Sequence, residues 1–442
     1  MKKVLIVSPH FPPINAPDMQ RVRMSLPFYR EGGWKPVVLA VGEPWQIGVR
    51  EPELESTVPA DVRIVRTRAF PPRLSRFFGI GNLGLRALPC LFWSGCAVLR
   101  REKFDLVFMS NTQFATFILG PIWKRLYGVP YVLDVQDPWR TDYYERPGSR
   151  SPPGGWKYQI ARFIAWAFEG RCFKRASGIV SVSPDYIKDL CSRYPGVARI
   201  PAAVIGFGAS PGDVAKAREH VDAKPPFPRG DGSIHLVYTG ASGPVMPHAI
   251  QVLFDGFRLY RERHPGRAAR FRFHFIGTSY LPEGKGVESV IPVAVECGVA
   301  DQVFETPHRV GFLEAIRLQD AADVLLILGS SHLAYSPSKI YLYYLTGRPI
   351  LGLVFRTSVM ERLLDELSCA FMVLFSEDQP KDKAFARLAD FFDLAIEGFP
   401  SCSLPARNDE VFEKRYLARG LARRQCELFD AACGAGPCRH KS

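Results

Sequence analysis

Apolar residues in this chain come in short unbroken runs, not in strict alternation with polar ones. A run that is apolar at every position has to be buried on both faces, which is the signature of a strand inside a parallel sheet. Such runs predict strands at Lys3–Ser8, Lys35–Val41, Val62–Arg66, Phe104–Met109, Tyr131–Val135, Gly178–Ser183 and Ala198–Ile200. The intervals read as helices: one ending near Glu31 before Gly32 and Gly33, one ending at Tyr127, then Trp156–Ala176 and Pro184–Arg193. The rhythm restarts at Ile234–Tyr238 and continues through Phe271–Ile276, Val303–Glu305, Asp323–Leu328, a strand opened by Pro349, and Phe371–Phe375. Helices ending at Arg263 and Cys297, then Phe312–Ala322, Ala384–Ile396 and Asn408–Ala432, fill the gaps. Strand, helix and parallel strand in repetition define an α/β chain, and 442 residues suit two or three domains with substantial cores.

The stretch after Leu328 carries the most chemistry. A Gly- and Ser-rich loop runs from Gly329 to Ser336, and Pro337 stands where a helix would begin. Ser338 and Lys339 fall in the first turn, and Gly347 closes the helix after Thr346. Free backbone N–H groups and the positive end of the helix dipole meet there, with a hydroxyl and an ammonium at hand, so the helix start is suited to a phosphate. A second Gly-rich turn, Gly240 to Ser242, sits between a strand and a helix in the same way. Strand ends are where open α/β sheets hold ligands. The loop from Pro9 to Arg21 and the acidic turn at Gln136-Asp137 are therefore candidate site segments.

SPSKIYLYYLTGRPIL, at Ser336–Leu351, resembles the signature of the retaining glycosyltransferases of family four, which have the GT-B fold. Weaker likenesses fall in the same order along the chain: SPHFPPINAP at the first loop, DPW at Asp137, IPAAVIGFGASPGD as an interdomain linker, and YTG at Tyr238. The resemblance implies two Rossmann-like parallel-sheet domains facing across a cleft. It implies an acceptor-side domain at 1–205, a linker at 206–232, and a nucleotide-sugar-binding domain at 233–405. It also implies a helix at 406–433 crossing back to the first domain, and 434–442 is expected to be disordered. By the same resemblance Ser338, Lys339, Gly240 and Ser242 would bind the donor diphosphate. Arg309, Val310 and Leu342 would meet the nucleoside, Leu342 standing where the family usually has a ribose-binding Glu. Asp137, Gln136 and Asn111 would orient or activate the acceptor, and Asn15 and Arg21 would line the acceptor-side loop. The implied activity is a metal-independent, hexosyltransferase-like transfer in cell-envelope polysaccharide biosynthesis. Its substrates would be a nucleotide-diphosphate sugar donor and a surface-glycan or lipid-linked acceptor, with no cofactor. A sugar-nucleotide 2-epimerase and a catalytically degenerate binding protein of the same fold are the alternatives.

The formal net charge of +13 adds a question of partners. No zinc-finger spacing and no RNP or KH signature is present, so no nucleic-acid partner is expected. Residues 66–103 mix arginines with Phe, Leu and Trp, and Glu102 is their only acid, which suits peripheral contact with an anionic membrane. The 10 cysteines are scattered without CxxC spacing and are read as reduced thiols. No run approaches the roughly twenty apolar residues that cross a bilayer. The expected location is the cytoplasm, with contact at the inner face of the plasma membrane.

Overall fold

The structure is a computed structural model; it describes residues 1–72, 81–140, 156–219, 227–228, 230–242, 246–279, 286–331, 338–376, 381–399 and 406–434. The chain divides into two compact units, Met1–Gly208 with Arg415–Ser442, and Ala209–Lys414.

The first unit is built on β1 (Lys2–Val7), β2 (Trp34–Val41), β3 (Arg63–Thr67), β4 (Leu106–Ser110), β5 (Tyr131–Val135), β6 (Gly178–Ser181) and β7 (Ala202–Val204). Their order is β3-β2-β1-β4-β5-β6-β7 and every pairing is parallel. The strand order reverses between β1 and β4, which opens a crevice at their carboxyl ends. The connections include α1 (Gln20–Ser25), α2 (Leu83–Arg101), α3 (Leu119–Tyr127), α4 (Trp156–Arg175) and α5 (Pro184–Arg193). The helix expected to reach Glu31 stops early: Pro27 has no N–H to continue the ladder, and Leu26–Phe28 tighten into a 3-10 turn. The last strand lies at Ala202–Val204 instead of Ala198–Ile200, because Pro195 starts a 3-10 turn that occupies the chain to Arg199.

The second unit opens with α6 (Pro211–Glu219), a helix inside the stretch expected as linker. Val214 and Ala217, three residues apart, bury one face of it, and Arg218 pairs with Asp320 at 2.7 Å. The sheet comprises β8 (Ile234–Thr239), β9 (Phe271–Ile276), β10 (Val303–Thr306), β11 (Val324–Leu328), β12 (Ile350–Phe355) and β13 (Phe371–Phe375). The order is β10-β9-β8-β11-β12-β13, again all parallel and again reversing next to the first strand. Around it lie α7 (Pro247–Arg263), α8 (Ile291–Glu296), α9 (Phe312–Ala321), α10 (Lys339–Thr346), α11 (Val359–Leu367) and α12 (Asp382–Ile396). Both units are therefore Rossmann-like.

The final helix is two. α13 (Asp409–Arg415) is followed by α14 (Ala418–Ala432), and α14 belongs to the first unit. Phe429 anchors it there, its ring 4.9 Å from Phe108, 5.5 Å from Trp34 and 5.9 Å from Tyr29. Gln425 receives the Tyr29 hydroxyl at 2.6 Å and donates to Ser25 at 3.0 Å, so its buried amide is satisfied on both sides.

The basic stretch 66–103 faces inward more than its composition suggests. In α2, Leu83, Leu91, Val98 and Leu99 are core, and the buried Arg86 donates to the carbonyls of Phe70 at 2.7 Å and Trp45 at 3.0 Å. Phe70 and Trp93 remain exposed, and residues 73–80 lie outside the described residues. No helix among the described residues is long and apolar enough to cross a membrane.

Candidate functional site

In the second unit the carboxyl ends of β8, β9 and β10 come together. Gly240 follows β8 with φ 115°, a conformation that suits glycine. A Cβ there would stand 2.9 Å from the Lys339 Nζ, so the missing side chain makes room for the ammonium. A Cβ at Gly277, after β9, would stand 3.7 Å from the Gly240 nitrogen and 3.9 Å from the His308 carbonyl. The turn carrying half-buried Arg309 and Val310 thus adjoins the Gly240 turn. Ser242 is buried, its hydroxyl 2.8 Å from that of Ser289 and its N–H donating to the Thr278 carbonyl, so it braces the turn from within.

Lys339 opens α10, and its Nζ lies 3.7 Å from the centroid of the Tyr238 ring. Tyr238 is held by its hydroxyl, which donates to the Ala241 carbonyl at 2.8 Å. Tyr343, one turn further along α10, accepts the Thr239 N–H at 3.1 Å, and Gln319 from α9 donates to the Thr239 hydroxyl at 2.8 Å. These bonds fix the start of α10 against the end of β8. Among the described residues no carboxylate pairs with Lys339. Burial lowers its ammonium from the ordinary 10.5 to about 7. A cation in a desolvated place that meets a ring face and, among the described residues, no carboxylate favours an incoming anion. Ser338 precedes it, exposed, and its side chain makes no capping bond. Leu342 is half-buried on α10. Pro337 lies outside the described residues.

In the first unit the reversal point between β1 and β4 holds a different cluster. His10, in the loop after β1, places Nδ1 2.9 Å and 3.1 Å from the two carboxylate oxygens of Asp18. Asp18 also accepts the Thr112 N–H at 3.3 Å and its hydroxyl at 3.1 Å. Burial pushes Asp18 up, but the His10 and Thr112 bonds more than offset it and leave the carboxyl below its usual range. The side chain of His10 keeps 15% of its surface exposed, so one ring nitrogen is oriented by a carboxylate while part of the ring remains open to solvent. Asp137 follows β5 and is exposed; partial desolvation of its carboxyl and the Asp18 charge raise it.

The remaining sequence-predicted residues of this unit are buried and bonded to internal partners. Asn111 is fully buried, donating to the Val7 carbonyl at 3.1 Å and accepting the Gln113 N–H at 2.8 Å. The buried Gln136 amide donates to the Asp18 carbonyl, Ser110 and Asp134 at 3.1–3.2 Å. Asn15 is buried in a two-residue strand pair with Val49–Arg50 and donates to Glu51 at 3.1 Å. Arg21, expected to line the acceptor loop, is buried instead: Nε lies 2.9 Å from Asp134 and the terminal nitrogens donate to the Ile205 and Gly206 carbonyls. From the second position of α1 the guanidinium reaches the carboxyl end of β5, where the buried Asp134 draws it. His10 and Asp18 are the pair that sequence reasoning missed. Eight residues apart in a Pro-rich loop, they share no recognisable spacing; their place after the first strand is the only signal.

Two parallel sheets, each reversing strand order beside its first strand, with an ammonium at one reversal point and a His–Asp pair at the other, define an α/β protein of the GT-B fold class. Residues 20–208 match the model of the family described as Glycosyl transferase 4-like domain. No curated protein matches in sequence. Solved structures match over nearly the whole chain at low identity. A Burkholderia xenovorans alpha,alpha-trehalose-phosphate synthase (UDP-forming), in complex with glucose-6-phosphate, is 10% identical with a TM-score of 0.56, covering 98% of this chain and 100% of its own. An E. coli trehalose-6-phosphate protein bound with UDP-2-fluoro glucose is 11% identical with a TM-score of 0.56, covering 98% and 99%. The N-terminal domain of a Candida albicans trehalose-6-phosphate phosphatase is 12% identical with a TM-score of 0.55, covering 98% and 97%. The chain therefore has the GT-B fold, and residues 20–208 of its first unit are similar to a glycosyl transferase 4-like domain.

Proposed function

We propose that this protein is a glycosyltransferase that moves a sugar, with retention, from a nucleotide-diphosphate donor to a surface-glycan or lipid-linked acceptor. The observation that carries the reading is Lys339: a desolvated ammonium with no carboxylate partner among the described residues, beside the glycine turn of β8 and at the start of α10. The donor diphosphate is assigned to this point, where the helix start, Ser338 and Lys339 offset the charge that develops on departure. Arg309 and Val310, on the neighbouring turn, are assigned to the nucleoside. In the first unit, His10 oriented by Asp18 is assigned to the acceptor hydroxyl, with Asp137 nearby. No metal or cofactor is required by this scheme.

The test is incubation of the purified protein with UDP-, GDP- and dTDP-sugars, with and without a lipid-extract acceptor. Acceptor-dependent release of nucleoside diphosphate supports transfer. Conversion of the sugar nucleotide alone supports the 2-epimerase alternative, and the absence of any nucleotide binding supports a degenerate binding protein.

A further inference from the structure

The helix α4 exposes an apolar stripe that the donor and acceptor chemistry does not use. Ile160, Phe163 and Trp166 recur every third residue on one face, with 41%, 65% and 66% of their surfaces exposed. Isolated exposed apolar residues are common, but three large ones in a row on one helix are not. The stripe borders an open cavity of about 790 Å³ whose walls include Leu85, Phe114, Trp139, Phe163 and Trp166. Trp139 lies two residues beyond Asp137 and stacks on Phe114 at 6.0 Å, so the hollow adjoins the acceptor side of the first unit.

The exposed charges on α4 itself are all cationic, while exposed Asp189 of α5 lines the same cavity. Arg162, Arg171, Lys174 and Arg175 of α4 are all exposed. The only acid of the helix, Glu169, is fully buried and paired with Arg193 at 3.1 Å. On the helical wheel Arg171 and Lys174 continue the apolar face toward the C-terminal end. A second copy of this chain would set these cations against their own kind in a protein of net charge +13, which opposes self-association through this face. A tryptophan and a phenylalanine flanked by lysine and arginine match the headgroup region of an anionic bilayer instead. We propose that the α4 face is a membrane-docking surface for bilayers containing anionic lipid, with Phe163 and Trp166 inserted at the interface. This assignment rests on the surface alone and stands whether or not the protein transfers a sugar.

The experiment is co-sedimentation of the full-length protein with phosphatidylcholine vesicles containing, or lacking, phosphatidylglycerol. The expected result is binding to the anionic vesicles, a fall of about tenfold or more on raising the salt from 0.1 to 0.5 M, and little binding to neutral ones. Phe163→Ser with Trp166→Ser should lower partitioning at least about tenfold while leaving UDP binding and the unfolding midpoint unchanged, whereas Trp93→Ser on α2 should change it little. Arg171→Glu with Lys174→Glu, on exposed positions, should weaken anionic binding by a similar factor with the unfolding midpoint checked alongside. Equal binding of wild type and both double variants would overturn the proposal. So would equal affinity for neutral vesicles, or a dimer in solution that the Phe163/Trp166 variant disperses.

Discussion

Binding of a nucleoside diphosphate should take up a proton, and the site of uptake should be Lys339. Its ammonium has a value near 7 in the free protein because burial opposes the charge. A diphosphate at Gly240 and the start of α10 would supply the missing opposite charge and restore the ordinary affinity for the proton. UDP is fully ionised above pH 7, since a terminal phosphate loses its second proton at about 6. If only the charged lysine binds, the competent fraction is about one half at pH 7 and about one hundredth at pH 9. UDP affinity should then fall about 50-fold across that interval, worth about 2.3 kcal/mol. Calorimetric titrations at pH 8, in two buffers of different ionisation enthalpy, should report about 0.9 proton taken up per UDP. Lys339→Met should bind UDP weakly and without the slope. A flat affinity from pH 7 to 9, or a slope retained in Lys339→Met, would refute the reasoning. The same depression acts on folding with the opposite sign from a paired lysine. Between pH 7 and 10.5 the unfolded chain holds a proton that the folded one lacks, so this lysine's cost is full below 7 and fades as pH rises to 10.5. Lys339→Met should therefore raise the unfolding midpoint of the unliganded protein while impairing its ligand binding.

Two further outcomes follow from the first unit. Arg21→Met should destabilise the fold by about 3–5 kcal/mol in urea titrations, because it strands the fully buried Asp134; a loss of activity with unchanged stability would restore Arg21 to the acceptor side. His10→Gln should lower kcat by about 10²–10⁴-fold with the fold intact. Asp18→Asn should shift the acid limb of the pH–rate profile, since Asp18 orients His10. Asp18 itself, held below 3.8, adds stability that is present above that value and lost as pH falls through its lower folded value, which acid denaturation of Asp18→Asn would measure.

The local pattern was enough to place most strands, since an unbroken apolar run such as Val324–Leu328 can be buried on both faces only inside a parallel sheet. It also located the start of α10, where Lys339 stands and which Gly347 ends with φ 78°. Where prolines reset the chain, at Pro27, Pro195 and Pro211, the boundaries moved, because removal of one N–H changes which hydrogen bond is available and not the hydropathy that was being read. The roles of polar residues were less legible. Arg21, Asn111 and Gln136 stand at plausible places in a site, yet each is consumed by a buried partner that arrives from another strand or loop. His10 acquires its meaning from Asp18 and Thr112, the latter distant in sequence, and Lys339 from the lack of such a carboxylate among the described residues. Sequence determines which groups exist and which elements carry them. Only the folded chain decides whether a charge is neutralised internally or left available for a ligand, because that depends on long-range contacts and on the water they exclude.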